Sequence, residues 1–260
     1  MLAAQRRQRI LDEVRRVGGV RVSDLTALLG VSDMTVRRDL ERLGREGLLE
    51  KVHGGATALT PRSSDEPGFE VKSLRELTEK HAIAVAAARL VQPGQAVGLG
   101  AGTTTWVLAR HLLAIDGLTV VTNSIKIADV LRERHDVVLV GGVRTPSDAL
   151  VGPVADLVLR NLHFDIAFLG CHGLAEIGLT TPNLPEAETN RAFVQAARRL
   201  VVTADSTKWG ITGLMTFAAL SDIDVLITDD GLPVEARELL EPQVGRLEIV
   251  AAEPHAAAAQ

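Results

Sequence analysis

The chain has 260 residues, 46% of them hydrophobic and 23% charged, with a net charge of −5. That length holds a small domain plus a larger one, and that composition belongs to a soluble globular protein rather than a disordered or fibrous one. No apolar run reaches membrane-span length or opens the chain, so neither a transmembrane helix nor a signal peptide is expected and a cytoplasmic location follows; the single cysteine, Cys171, excludes an intrachain disulfide and a cysteine metal cluster.

In chain order, Gln5 to Val17 places Ile10, Leu11, Val14 and Val17 on one side and predicts a helix ended by Gly18-Gly19. Val20 to Val22 predicts a short strand. Ser23 is the expected N-cap of a second helix burying Leu25, Leu28 and Leu29. Gly30 breaks that helix and Ser32 caps a third over Val31 to Leu43, where Val36, Leu40 and Leu43 form one apolar stripe. Two short helices separated by about four residues have helix-turn-helix spacing. Off the stripe stand Thr35, Arg37, Arg38 and Arg42, hydroxyl and guanidinium groups able to enter a DNA groove; alone, the same pattern also fits a solvated amphipathic helix. After Gly44 to Gly47, Leu48 to Leu59 reads as a hairpin turning at Gly54-Gly55 with positive φ at both. A hairpin there is a wing, with Lys51 and His53 near its tip and able to reach phosphates.

The charge is unevenly divided. Residues 1–56 hold 11 Lys/Arg against 8 Asp/Glu, a net of +3, and the remainder holds 17 against 25, a net of −8. A basic first part on an acidic second part suits a DNA-binding module attached to something else. The run Val31-Ser-Asp-Met-Thr-Val-Arg-Arg-Asp-Leu40, with Leu43, Gly47 and His53-Gly-Gly-Ala56, resembles the N-terminal signature of the DeoR family of bacterial transcriptional regulators. The resemblance implies DNA contacts from Ser32, Met34, Thr35, Arg37, Arg38, Arg42, Lys51, His53 and Gly54. Arg37 and Arg38 are the candidates for base-edge or phosphate contact, since a guanidinium binds guanine bidentately; one of them pairing with Asp39 or Glu41 is the alternative.

Thr60 to Gly68 is polar with two prolines and resists helix and strand. The expected division is a winged helix-turn-helix over residues 1–59, a linker over 60–69, and a sensing and oligomerising domain over 70–260.

Beyond the linker, Leu74 to Leu90 predicts an alanine-rich helix carrying Lys80, Ile83, Ala84 and Ala87. Strands are expected at Ala96–Gly100, Leu118–Thr122, Val137–Val140, Ile166–Leu169, Leu200–Ala204, Val225–Thr228 and Leu247–Val250. Helices are expected at Trp106–Leu113, Ile125–Arg132, Val154–Leu162, Glu186–Ala197 and Pro233–Leu240. This alternation implies an α/β domain with a doubly wound, mostly parallel sheet, and the alanine-rich end to Gln260 is expected to fray.

Ligands sit at the C-terminal ends of such strands. Three loops stand there: Gly98-Leu-Gly-Ala-Gly102 running into Thr103, Thr104 and Thr105; Thr122, Asn123 and Ser124; and Gly141, Gly142 and Arg144. Any one glycine loop is also an ordinary tight turn, but three at successive strand ends describe an anion pocket. The glycine spacing does not match a dinucleotide fingerprint and Thr122-Asn123 offers no acidic partner for a ribose, so no NAD and no other cofactor is expected.

These stretches, with Asp205-Ser-Thr-Lys208, resemble the effector domain of DeoR-family regulators, related in fold to ribose-5-phosphate isomerases. The resemblance implies a phosphorylated sugar or related effector held by Gly100, Gly102, Thr103, Thr104, Thr105, Thr122, Asn123, Ser124, Gly141, Gly142, Arg144, Asp205 and Lys208, with Lys208 facing phosphate; a surface ion pair is the plainer reading of Asp205 and Lys208. The family often has an aspartate where this chain has Gly100. An isomerase is the alternative function, but Phe168 to Gly173 and Gly178 to Pro182 contain neither aspartate nor lysine, Glu188 lacks partners for proton transfer, and Cys171-His172 are adjacent loop residues that point apart. The expectation is a non-enzymatic, oligomeric repressor of carbohydrate genes, dimer or tetramer, that binds double-stranded operator DNA, with no membrane partner and no metal.

Overall fold

The computed structural model describes residues 3–57, 64 and 68–252. Residues 58 and 59 of the expected wing, most of the expected linker and the tail from residue 253 lie outside the described residues. The chain divides into two compact units, residues 1–61 and 62–260.

In the first unit, helix α1 (Ala3–Val17), strand β1 (Gly19–Arg21), helices α2 (Val22–Leu29) and α3 (Asp33–Arg45), and strands β2 (Glu50–Val52) and β3 (Gly55–Thr57) follow in order. Ile10, Val14, Leu25, Val36, Leu40, Leu43 and Leu49 bury together as one core. Gly30 closes α2 in the left-handed region at φ 64°, donating its N–H to Thr26 O at 3.0 Å. Three expectations are corrected. Arg21, not Ser23, precedes the first turn of α2, and it makes no side-chain cap. Leu28 is 46% exposed, because the inward stripe of α2 is Val22, Leu25 and Leu29. The hairpin turns at His53-Gly54: only Gly54 has positive φ, at 82°, whereas Gly55 lies in β3, opposite Val52 of β2. The cause is tertiary. Strand β3 pairs with β1 as well as β2, and a Cβ on Gly55 would sit 2.0 Å from Val20 O.

The second unit opens with helices α4 (Phe69–Ser73) and α5 (Leu77–Ala88), then β4 (Ala96–Leu99), α6 (Thr103–Leu112), β5 (Thr119–Thr122), α7 (Ile125–Leu131) and β6 (Asp136–Leu139). A small hairpin follows, β7 (Val143–Arg144) and β8 (Leu150–Val151), then α8 (Pro153–Leu159) and β9 (Ile166–Leu169). The chain continues through β10 (Gly173–Ala175), β11 (Gly178–Thr181), α9 (Leu184–Ala196), β12 (Leu200–Thr203), β13 (Met215–Ala218), β14 (Val225–Asp229), α10 (Val234–Leu240) and β15 (Leu247–Val250).

Seven strands form a parallel sheet in the order β15-β14-β12-β9-β4-β5-β6. Strand alternation feeds two cores. Val97, Leu99, Ile166, Phe168, Val201 and Ile227 face α5, α6 and α7; Ala167, Leu169, Val202 and Leu226 face α8, α9 and α10. Helices on both faces make the sheet doubly wound. The chain runs from β4 outward to β5 and β6, then returns to the other side of β4 as β9, so the order reverses between β4 and β9. A crevice for ligands opens at such a reversal, beyond the strand ends.

Here too boundaries move. The helix expected over Leu74 to Leu90 is α5 alone, starting at Leu77 after Glu76 at φ 49°, and a separate short helix, α4, ends just before the exposed Leu74. Helix α6 begins at Thr103 rather than Trp106, so Thr103, Thr104 and Thr105 are its first turn and not a loop. The antiparallel sheet β10-β11-β13 and the β7–β8 hairpin were not expected from the sequence.

Candidate functional site

The exposed surface of the first unit centres on α3. Ser32 caps it: its Oγ accepts from Thr35 N at 3.4 Å and lies 2.9 Å from Thr35 Oγ1. With Val36, Asp39, Leu40 and Leu43 inward, helical geometry sets Met34, Arg38, Glu41 and Arg45 along the opposite line, with Arg37 on one flank and Thr35 and Arg42 on the other. Met34 is 72% exposed. The charges on this face are unequally engaged. Arg37 forks onto Asp33, one turn earlier, through Nε and through Nη2 at 3.3 Å. Arg42 Nε donates to Glu46 at 2.8 Å and Arg45 stands 3.9 Å from Glu41. Among the described residues Arg38 has no ion-pair partner, which leaves its five donors for something outside the chain. The expected pairing of Arg37 or Arg38 with Asp39 does not form. Asp39 is buried and takes Arg6 of α1 at 2.5 Å, with Arg7 at 3.9 Å, so it fastens α3 to α1. Lys51, His53 and Gly54 are exposed at the wing tip.

In the second unit, the first two strand-end loops meet. Ala101 N donates to Asn123 Oδ1 at 2.7 Å, and Asn123 Nδ2 donates to Leu150 O at 3.1 Å. Most of the predicted hydroxyls are engaged internally. Thr105 Oγ1 donates to Gly100 O at 2.7 Å; Thr122 Oγ1 donates to Leu99 O at 2.7 Å and accepts from Ser124 N at 3.1 Å; Ser124 caps α7. These residues shape the loops. Thr103 and Thr104 differ: among the described residues their hydroxyls have no partner, and their N–H groups belong to the open first turn of α6, where anions are favoured.

A Cβ on Gly100 would lie 2.4 Å from Leu169 Cδ2, so a larger residue there requires the Leu169 side chain to move. A leucine methyl therefore fills the space that an aspartate at position 100 would need. Gly142, at φ 118°, lets β8 approach: a Cβ would lie 2.5 Å from Val151 O. Arg144 is turned onto Asp148, so its charge is partly neutralised. Gly141, Gly142 and Arg144 follow β6, four strand spacings from β12, or roughly 19 Å at about 4.8 Å each. The predicted residues thus fall into a β4–β5–β6 group and a β12 group.

The β12 group lies across the switch point. Asp205 is 1% exposed; Oδ1 accepts from Thr207, whereas Oδ2 has no hydrogen-bond partner and lies 4.0 Å from Lys208 Nζ. Buried carboxylate oxygens rarely stay unpaired. The turn is braced by buried Asp229, which accepts from Ser206 N at 2.6 Å and Gly231 N at 3.1 Å. Asp229 was not foreseen, and neither was Lys80, which sits 3% exposed in α5. An isolated lysine in an alanine-rich helix reads as a solvated one; its burial depends on tertiary contacts. Burial lowers the Lys80 ammonium to about 8, partly opposed by the Asp205 charge. Burial likewise pushes the Cys171 thiol up to about 12. Glu188 pairs with Arg191 at 2.5 Å. No group of His, Cys, Asp or Glu among the described residues could hold a metal, and no described helix is long and apolar enough to cross a membrane.

Lys80 has a thermodynamic signature. Its folded value lies below its ordinary 10.5, so above about pH 8 the unfolded chain holds the extra proton and stability rises with pH. Cys171 acts oppositely but only above its ordinary 9.0, where the unfolded thiol ionises first. Between about pH 8 and 9, stability should therefore rise by up to about 1 kcal/mol relative to Lys80→Met in urea melts. Equal slopes in the two proteins would contradict this.

The comparisons fit this geometry. The DeoR-like helix-turn-helix domain matches residues 6–62 and the DeoR C terminal sensor domain matches residues 75–230. The chain is 39% identical to the uncharacterized HTH-type transcriptional regulator YgbI of Escherichia coli K12, covering 94% of this chain and 96% of that one. It is 37% identical to a putative aga operon transcriptional repressor of Escherichia coli O157:H7, over 90% and 89%. About half of it, 50%, superposes on 53% of a ribose 5-phosphate isomerase A from Methanocaldococcus jannaschii, at 20% identity and a TM-score of 0.37. Relatives named as regulators match along nearly their whole length and both DeoR domains are present, so the chain belongs to the DeoR family of transcriptional regulators.

Proposed function

We propose that this chain represses a carbohydrate operon and leaves its operator when a phosphorylated sugar or related metabolite binds the second unit. Residues 1–59 would bind double-stranded DNA through α3 and the wing, and residues 70–260 would bind the effector and hold the oligomer, a dimer or tetramer reading repeated half-sites. Operator binding puts this work in the cytoplasm. A relative in Streptococcus mutans named as a lactose phosphotransferase system repressor supports the carbohydrate reading.

One observation carries the effector reading. The open first turn of α6 with the unengaged Thr103 and Thr104, and the buried Oδ2 of Asp205, without a hydrogen-bond partner and 4.0 Å from Lys208 Nζ, flank the switch point. N–H groups, hydroxyls and an ammonium suit a phosphate, and an unpaired carboxylate oxygen suits a sugar hydroxyl. The Leu169 methyl beside Gly100 adds an apolar wall.

The test is to select DNA fragments that bind the full chain, then titrate it with phosphorylated sugars by calorimetry. Operator affinity should fall at least tenfold or so between about 50 and 200 mM salt, and at least one sugar phosphate should bind where its unphosphorylated sugar does not. A flat salt response, or no binding across the panel, would overturn the reading.

A further inference from the structure

Helix α4 is the first described helix after the stretch that joins the two units in sequence, and it is fastened to the elements that form the candidate site. Phe69 N donates to Pro146 O, between β7 and β8, at 3.4 Å. The Phe69 ring meets Trp106 of α6 edge-on, with centroids 5.9 Å apart. Lys126 of α7 stands 4.7 Å above the same ring, 3.0 Å from Glu70 and 3.6 Å from Asp148.

A further tie is Lys80. Its Nζ donates to Lys72 O at 2.6 Å and to Arg75 O at 2.5 Å, at and just beyond the end of α4. Among the described residues no carboxylate lies within hydrogen-bond distance of this ammonium. Asp205 and Glu76 act on it favourably through space, and Lys208 and Arg75 oppose it. A buried cation held only by carbonyls gains strongly from an anion nearby. Glu76, just beyond, sits in the left-handed region at φ 49°, a strained joint of the kind found at switches.

We propose that Lys80 is the positioning residue that couples occupancy of the strand-end site to α4: an anion at the first turn of α6 draws the ammonium off Lys72 O and Arg75 O and loosens the helix that leads back to the DNA-binding unit. This rests on the anion reading of the site. Two of the three ammonium donors serve α4, so an anion that draws the ammonium to itself takes them from the carbonyls, and the ligand's preference for that arrangement is what shifts the balance.

Amide hydrogen exchange on the full chain, with and without inorganic phosphate at tens of millimolar, tests it. Phosphate should slow exchange at Thr103–Trp106 and speed it about tenfold at residues 69–76, where Lys72 N and Arg75 N report on α4. In Lys80→Met, residues 69–76 should exchange fast already and ignore phosphate. Lys80→Gln keeps an amide N–H donor for the carbonyls without the charge, so it should keep α4 slow and lose the response even if Lys80→Met fails to fold. Protection at Thr103–Trp106 without change at 69–76, or a wild-type response in Lys80→Gln, overturns the coupling and leaves the site standing. No protection at Thr103–Trp106 overturns the site reading and this inference with it.

Discussion

Arg38→Ala should weaken operator binding by about 1–3 kcal/mol, roughly five- to 150-fold, and relax sequence preference at one position. The structure separates this residue from its neighbour. Arg37 is forked onto Asp33, whereas Arg38 lies on the line opposite the helix core and has no ion-pair partner among the described residues. Any contact by Arg37 must first displace Asp33. The pair is solvent-exposed and therefore weak, so Arg37→Ala should also lose affinity, but less. Because Arg38 packs against nothing in the core, its removal should move stability by no more than about 0.5 kcal/mol. Fluorescence anisotropy on a selected operator, alongside urea melts, checks both halves. Unchanged affinity in both Arg38→Ala and Arg37→Ala would remove α3 from recognition.

The second large effect is expected from Thr103→Ala combined with Thr104→Ala. Operator affinity should be retained and release by a sugar phosphate lost. A hydrogen bond to a charged group contributes about 1.5–3 kcal/mol, so losing two should weaken the ligand roughly 100-fold or more. The backbone N–H groups remain, and some binding with them. Thr105→Ala is the informative contrast. Its hydroxyl holds Gly100 O and Gly102 O, so its loss should lower the melting temperature, which the double variant should not. Full release by metabolite in the double variant would place the effector elsewhere, with the Gly141–Arg144 loop the next region to test.

Much of this was legible in the sequence because the signals were local. The stripe Val36, Leu40 and Leu43, the Ser32 cap and the Gly30 break specify α3 between residues 30 and 43. The short apolar strands of the parallel sheet were equally readable, with β9, β12 and β14 buried on both faces and the edge strands β6 and β15 more open. What escaped depends on contacts between distant residues. The wing turn sits one residue earlier than its glycine pair suggests because Gly55 must pass close to Val20 O. The β10-β11-β13 sheet rests on similar approaches: a Cβ on Gly173 would lie 2.1 Å from Ile211 O, and one on Gly178 2.1 Å from Ala218 O. In the candidate site, the glycines and hydroxyls could be found by their place after strands, but not which hydroxyls were already engaged. Lys80 and Asp229 gave no signal, since burial of a charged residue is a property of what packs around it.

Under the proposed function, effector and operator bind one molecule at mutual expense. If so, linkage requires each to weaken the other by the same factor. The decisive measurement is the affinity of the full chain for a selected operator, with and without a saturating sugar phosphate, paired with calorimetry of that ligand with and without operator. Operator affinity should fall with ligand present, by roughly five- to 150-fold for an ordinary allosteric coupling, and ligand affinity should fall by the same factor when operator is bound. Operator affinity that stays the same at saturating ligand would contradict the account.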